Sequence, residues 1–335
     1  MFKSKLLKIT NIILLMIGII YLSGCSSKAV EKSFPEEISE LKSYKLEATI
    51  QTFFQNGNKE ANVVVYFKEP NLYRVELTNS LVNEKQIMIK NDKGVFVILP
   101  SINKTFKINS NWPTNNNQPF LLESISKNLL HNDELKTTKE NGQTTIELKT
   151  KIFDNVEPVT EKIIFDNKTK LPKEIYLYRT NNELFNHVKF NSIEKNVEIN
   201  SDLFIVDNTI TSSRLDYIKS PIEFDRAITY PTFCPENTKL FQETILGGAN
   251  DKTAIIKFSG DNPFTLLECY IDASEVLKQE YFYGDIYIMS SSFALVANDT
   301  VKFYSSGIEY TLASNKITLE DIFMIAESLG TSDIK

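Results

Sequence analysis

Glu69-Pro70-Asn71-Leu72-Tyr73-Arg74-Val75-Glu76-Leu77 is the stretch on which the fold turns. Pro70 and Asn71 mark a turn, and after them Tyr73, Val75 and Leu77 alternate with Arg74 and Glu76. A period of two puts the apolar side chains on one face of an extended segment and the charged ones on the other. That is the pattern of a half-buried strand.

Comparable runs lie on both sides, at 61–67, 86–89, 95–99, 105–108, 145–149, 162–165, 174–178 and 187–190. Asn56-Gly57, Asn91 to Gly94 and Asn141-Gly142 fall between them, where hairpins turn on residues that tolerate positive φ. Short strands separated by turns make a meandering antiparallel sheet, not a series of β-α-β units. Two helical segments interrupt the rhythm. Ser33 as cap, Pro35 near the first turn and Glu36 as capping-box carboxylate predict a helix with Ile38 and Leu41 on its apolar face. After Trp112-Pro113 and a polar loop over 114–118, Pro119 opens a stretch with Leu122, Ile125 and Leu129 at helical spacing. This helix is expected to roof one face of a curved sheet. Tyr73, Val75, Leu77, Ile87, Ile89, Phe96 and Ile98 are candidates to line the apolar space between the layers; alternatively, they pack as core.

Serine, Asp and Pro cluster over 212–221 and predict a linker there. Strand patterns resume at 253–258, 265–271, 286–289, 300–304 and 309–312. The chain then ends in a helix capped by Thr318 and Asp321, with Ile322, Ile325, Ala326 and Leu329 as its buried stripe and Gly330 as its stop. The fold class is therefore α+β, with a helix-covered antiparallel sheet domain over 36–211 and a smaller α+β domain over 222–330.

The N-terminus carries a separate message. Lys3, Lys5 and Lys8 precede an uncharged, mostly aliphatic run from Ile12 to Leu22, and Leu22-Ser23-Gly24-Cys25 follows. A spanning helix needs about 20 apolar residues, so the run is short for one and suits a secretory signal over 1–24. Leu-Ser-Gly-Cys resembles the lipobox of bacterial lipoproteins, in which the thiol, here that of Cys25, takes a diacylglycerol before cleavage. Residues 25–35 would then be a lipidated N-terminus and linker, with two or more acyl chains giving stable membrane attachment. An uncleaved membrane anchor is the alternative; either way the bulk of the chain lies outside the cytoplasm.

The chain has 37 basic and 43 acidic residues. Without the three signal lysines its net charge is about −9, which argues against nucleic acid and against lying flat on anionic lipid. Cys234 and Cys269 are the cysteines beyond the lipobox, and two thiols are favoured over a disulfide. His131 and His187 are the two histidines, and neither has metal-ligand spacing. No nucleophile elbow or phosphate loop is present, and Gly247-Gly248 reads as a hairpin turn. Glu36-Glu37 and Glu320-Asp321 open helices, where the dipole favours negative charge. Tyr281, Phe282, Tyr283 and Tyr287 form an aromatic cluster that is either sheet core or a recognition surface. No catalytic residue, metal or cofactor is implied.

Glu69 to Glu76, with its Pro ending one strand and Arg beginning the next, resembles the strand-turn-strand of LolA-like (MucB/RseB-like) proteins. Asn91-Asp92-Lys93-Gly94-Val95-Phe96-Val97 through Pro100, Asn103-Lys104, Trp112-Pro113, Phe165-Asp166-Asn167 and Leu171-Pro172 look closer to sporulation lipoproteins of the YdcC type, a plan shared by GerS-type germination lipoproteins. Gly307 to Ser314 and Ala326-Glu327-Ser328 resemble the small C-terminal domain of such proteins. That domain departs from the pattern at Phe303, where Trp is usual, and at Cys234-Pro235-Glu236-Asn237, in place of Pro-Glu-Gly. The resemblance implies a half-barrel sheet and a non-catalytic binding lipoprotein of the sporulating-cell envelope. It implies an envelope protein partner, such as a peptidoglycan amidase acting in spore cortex maturation or germination. The alternative it offers is a carrier or sensor of acyl chains or lipoproteins.

Overall fold

The structure, a computed structural model, describes residues 29–54, 57–109, 112, 118–151, 158–219, 221, 227–248, 252–271 and 276–329. The predicted signal, Cys25, the Asn56 turn residue, Pro113 and Gly330 lie outside these residues.

Alternation in the sequence becomes two antiparallel meanders. The first runs through β1 (Ser43–Phe54), β2 (Gly57–Lys68), β3 (Leu72–Asn79), β4 (Lys85–Asn91), β5 (Gly94–Leu99) and β6 (Lys104–Asn109). The second runs through β7 (Lys136–Glu140), β8 (Gln143–Thr150), β9 (Val159–Asp166), β10 (Pro172–Tyr178) and β11 (Leu184–Lys195). β11 pairs with β1, so the meanders fuse into one sheet, with Asn141 and Gly142 turning the β7–β8 hairpin at φ 50° and 74°. Strand twist of roughly 20° per neighbour curls so wide a sheet around whatever packs inside it. Helices α1 (Val30–Ser39) and α2 (Leu122–Leu130) pack there, their side chains merging with Trp112, Phe120 and Phe165 into a continuous core.

Helix α1 starts earlier than Ser33 and Pro35 suggest. Val30, Phe34 and Ile38, spaced by four, are buried against the sheet, with Phe34 edge-on to Phe165 at 5.3 Å. Residues 30–35 thus belong to the fold and not to a linker, because burying that stripe outweighs the cost of Pro35 inside the helix. The expected linker at 212–221 is likewise helical through Lys219, within α3 (Val206–Lys219). Val206 and Ile210 pack on Ile87, Ile89 and Ile98, on the sheet face opposite the core. Arg74 donates to Leu203 O at 3.0 Å and Thr209 Oγ1 at 2.7 Å, and Arg214 to Pro100 O at 3.0 Å.

The second sheet is ordered β12 (Thr238–Leu246), β13 (Thr253–Gly260), β14 (Phe264–Tyr270), β19 (Ile308–Ala313), β18 (Thr300–Ser305), β17 (Phe293–Ala297) and β16 (Asp285–Ile288). Helix α4 (Leu319–Ser328) covers one face, capped by Thr318 Oγ1 accepting from Asp321 N at 3.1 Å. One strand of this half does not stay in it. β15 (Lys278–Tyr283) pairs in parallel with β6 and becomes the twelfth strand of the large sheet. Lys278 to Tyr283, expected within a separate domain, therefore tie the two halves together. Ile286, Phe293, Leu295 and Tyr304 also join the core of the first sheet.

Two consequences can be measured. Gly284 sits where the chain crosses from one sheet to the other, and a Cβ there would lie 2.2 Å from Val296 O and 2.8 Å from Phe282 Cε1. Gly284→Ala is expected to cost about 1–3 kcal/mol in denaturant unfolding. Glu161, 1 % exposed on β9 between Leu148 and Leu177, accepts from Asn128 Nδ2 at 2.7 Å through one oxygen, while the other has no hydrogen-bond partner among the described residues. Burial raises its carboxyl to about 7, against the bond from Asn128. The folded state holds that proton more tightly than the unfolded chain, so the contribution of Glu161 to stability is fully present below the ordinary carboxylate range and is lost as pH rises from about 4.5 to about 7. Glu161→Gln removes this dependence and gains on the native chain by up to about 3 kcal/mol above pH 7, read from denaturation midpoints at pH 5 and 8.

Candidate functional site

Of the seven candidate lining residues, Tyr73, Val75 and Leu77 lie on the core face of the large sheet. Tyr73 meets Trp112 edge-on at 5.4 Å, so this face is filled. Ile87, Ile89, Phe96 and Ile98 point the other way. Antiparallel register pairs Val75 with Met88, but Glu76 with Ile87, Ile87 with Ile98 and Ile89 with Phe96. Directly paired residues share a face. Hence Ile87, Ile89 and Ile98 form a cluster under α3, and Phe96 lies beneath the ammonium of Lys107 at 5.6 Å. The seven do not line one space.

An apolar open space lies elsewhere, at the end of the large sheet where the second half of the chain meets it, and a more polar one lies around Thr232 to Glu236, Asn262 and Asp321. The apolar cavity, of about 150 Å³, is walled by Ile50 and Phe54 of β1, Phe120, Val159, Leu177, Phe185, Phe233, Tyr287 to Ser290, and Phe323 and Met324 of α4. α4 reaches it through two side chains beside its predicted stripe. Ile322, Phe323, Ile325, Ala326 and Leu329 all join the core of the second sheet, and Phe323 and Met324 also line the cavity, Phe323 standing edge-on to Tyr287 at 5.6 Å.

Polar groups in the wall are few and specific. Glu327 is buried and accepts from Ser290 N at 2.7 Å and from Ser290 Oγ, which ties α4 to the β16–β17 turn. Arg179 lies over the Phe185 ring at 4.8 Å, with Glu183 at 3.8 Å and Glu320 at 3.7 Å. Those separations are ionic contacts, too long for hydrogen bonds. Burial raises the Glu320 carboxyl, Arg179 opposing and Asp321 adding to the shift. Asn186 donates to Thr52 Oγ1 at 3.1 Å. Two buried wall atoms, Arg179 Nε and Asn186 Oδ1, have no hydrogen-bond partner among the described residues. Lys59 shares the Thr52 face of the sheet, its ammonium 5.9 Å from the Phe54 ring, and burial lowers it while the Glu327 charge opposes.

No His or Cys side chain is among the described residues of this wall. His131 is exposed against Lys127 O at 2.9 Å, and His187 of β11 meets Glu174 of β10 at 3.0 Å. Cys234 and Cys269 are both free thiols. Among the described residues no three His, Cys, Asp or Glu side chains could hold a metal, and no helix is long and apolar enough to cross a membrane. The cavity leaves little local mark in the sequence, because its wall comes from strand ends and loops of both halves. Phe323 and Met324, apolar outside the α4 stripe, were the available signal.

The chain is 26% identical over 331 residues to the sporulation protein YdcC of Bacillus subtilis (strain 168), covering 98% of this chain and 97% of that one. Among solved structures it is similar to the Pseudomonas aeruginosa MucA/MucB complex, at 12% identity and TM-score 0.33 over 89% of this chain and 98% of that one. It is also similar to a LolA superfamily protein from Nitrosomonas europaea, at 11% identity and TM-score 0.30 over 53% and 99%. At such scores these structural likenesses carry nothing further. The family model described as sporulation protein YdcC-like matches residues 3–204, and the chain belongs to that family.

Proposed function

We propose that this chain is a lipid-anchored, non-catalytic lipoprotein of the sporulating-cell envelope that holds a protein partner in the cleft between its two sheets. The partner class implied by resemblance to the GerS type is a peptidoglycan amidase needed for cortex maturation or germination. Kinship with a sporulation protein over nearly the full length supports the setting. The lipobox supports the anchor, which would be Cys25.

The observation that carries the reading is where the molecule is hollow. An acyl carrier needs room between sheet and helices, and there Trp112, Phe34, Phe120 and Phe165 are all within 1 % of full burial. The cavity lies instead at the junction of both halves, under α4, with a charged rim. Small-molecule sites commonly enclose 300–1,000 Å³, so about 150 Å³ is meagre for lipid chains.

Two variants separate the parts of this reading. Cys25→Ala is expected to leave the membrane fraction and to take up no labelled fatty acid. Met324→Arg, which puts a charge into the cleft, is expected to stay on the membrane while germination falls at least tenfold, towards that of a deletion strain. Normal germination of Met324→Arg spores carrying wild-type amounts of the protein contradicts the cleft as partner site. Membrane retention of Cys25→Ala contradicts the anchor.

A further inference from the structure

The cleft also states what kind of segment it takes. A cavity of 150 Å³ lined by Leu, Ile and Phe is the size that holds one benzene, so this one holds one large side chain. Its wall is mostly apolar, and it presents one donor without a hydrogen bond, Arg179 Nε, whose contact with Glu320 is a 3.7 Å ionic one, and one acceptor without a hydrogen bond, Asn186 Oδ1, both buried. A buried donor or acceptor without a partner is costly, and an aliphatic chain would satisfy neither. A peptide main chain offers one carbonyl and one N–H per residue. The charges at the rim are also unbalanced. Glu183, Glu320 and Glu327 line the cavity with Arg179 as the one lining cation, and Glu327 is taken by Ser290 and faced by Lys59. Among the described residues the one cation facing Glu183 and Glu320 is Arg179, at 3.8 and 3.7 Å, and Glu183 also accepts from Asn181 Nδ2 at 3.3 Å.

We infer that the cleft receives an extended segment of the partner protein, one large apolar side chain of which fills the cavity. Its main chain bonds Arg179 Nε and Asn186 Oδ1, and a neighbouring Lys or Arg meets Glu183 and Glu320. This rests on the cleft being the partner site and adds the chemistry of what enters it.

The test uses the full mature chain with Cys25→Ser, so that no lipid competes, and methionine methyls labelled with carbon-13. Only Met88, Met289 and Met324 remain in that chain. Met289 and Met324 line the cavity, while Met88 is buried in the core as an internal control. Titration with the blocked peptide acetyl-Gly-Phe-Lys-Gly-amide is expected to shift Met289 and Met324 saturably and leave Met88 unmoved. Replacing Phe by Gly in the peptide should weaken binding at least tenfold, and replacing Lys by Glu several-fold. Asn186→Ala, which also gives up the bond to Thr52 Oγ1, should weaken it several-fold when measured well below the thermal midpoint of the variant. Equal binding of the Phe and Gly peptides, silence of both cavity methyls, or shifts with decanoate but not with peptide would overturn the inference. If Met324→Arg spores still fail while no peptide binds, the cleft remains the partner site and only the inserted-side-chain chemistry falls.

Discussion

The side-chain amide of Gln86, on β4 of the large sheet, donates to Tyr304 O at 2.7 Å and accepts from Phe293 N at 3.0 Å, both in the other half of the chain. Gln86 is 1 % exposed, so neither bond can be replaced by water. Each buried bond contributes about 1 kcal/mol net, but leaving its partner unpaired costs about 1–3 kcal/mol. Beside it Glu84, also buried, accepts from Ser101 Oγ at 2.7 Å and Ser306 N at 2.8 Å. Burial raises the Glu84 carboxyl, and those two bonds oppose the shift. These contacts, with β15 on the edge of β6, fix how the second sheet sits on the first. The cleft exists only because that seating is fixed.

A second polar cluster braces the same junction. Lys104 pairs with Glu280 at 2.9 Å and Glu309 at 3.5 Å, and Tyr304 OH donates to Glu309 at 2.6 Å. Burial pushes the Glu309 carboxyl up, but Lys302, Tyr304 and the Lys104 charge outweigh it and hold it below its ordinary value. A shared apolar core and two polar clusters leave the halves little freedom to hinge. A cavity walled by both is then preformed, and a preformed site loses less entropy when a partner segment enters.

The strands of both meanders were legible because half-burial imposes a period of two, as at Tyr73, Val75 and Leu77. Faces were not. Ile87-Met88-Ile89 is apolar at consecutive positions because α3 covers the side opposite the core, so periodicity cannot say which residue points where. α3 itself was hidden by Ser212, Ser213 and Asp216, because besides the apolar Val206 and Ile210 it is anchored by polar contacts of Thr209 and Arg214 that leave no periodic stripe. Tyr281, Phe282 and Tyr283 registered as an aromatic cluster, since parallel pairing with a strand so distant in sequence leaves no local mark. α4 was read correctly from its cap and stripe, yet its role as cleft wall rests on Phe323 and Met324, which matter only once the two halves are joined.

Amide hydrogen exchange at Phe293 tests that joining most directly, because its N–H bonds to Gln86 across the junction. The account predicts that Phe293 exchanges as slowly as Val75 in the centre of the large sheet, both opening only with global unfolding. Exchange of Phe293 orders of magnitude faster than Val75, in step with the amides of β12 to β14, would mean that the halves separate freely and that the cleft is not a standing feature of the molecule.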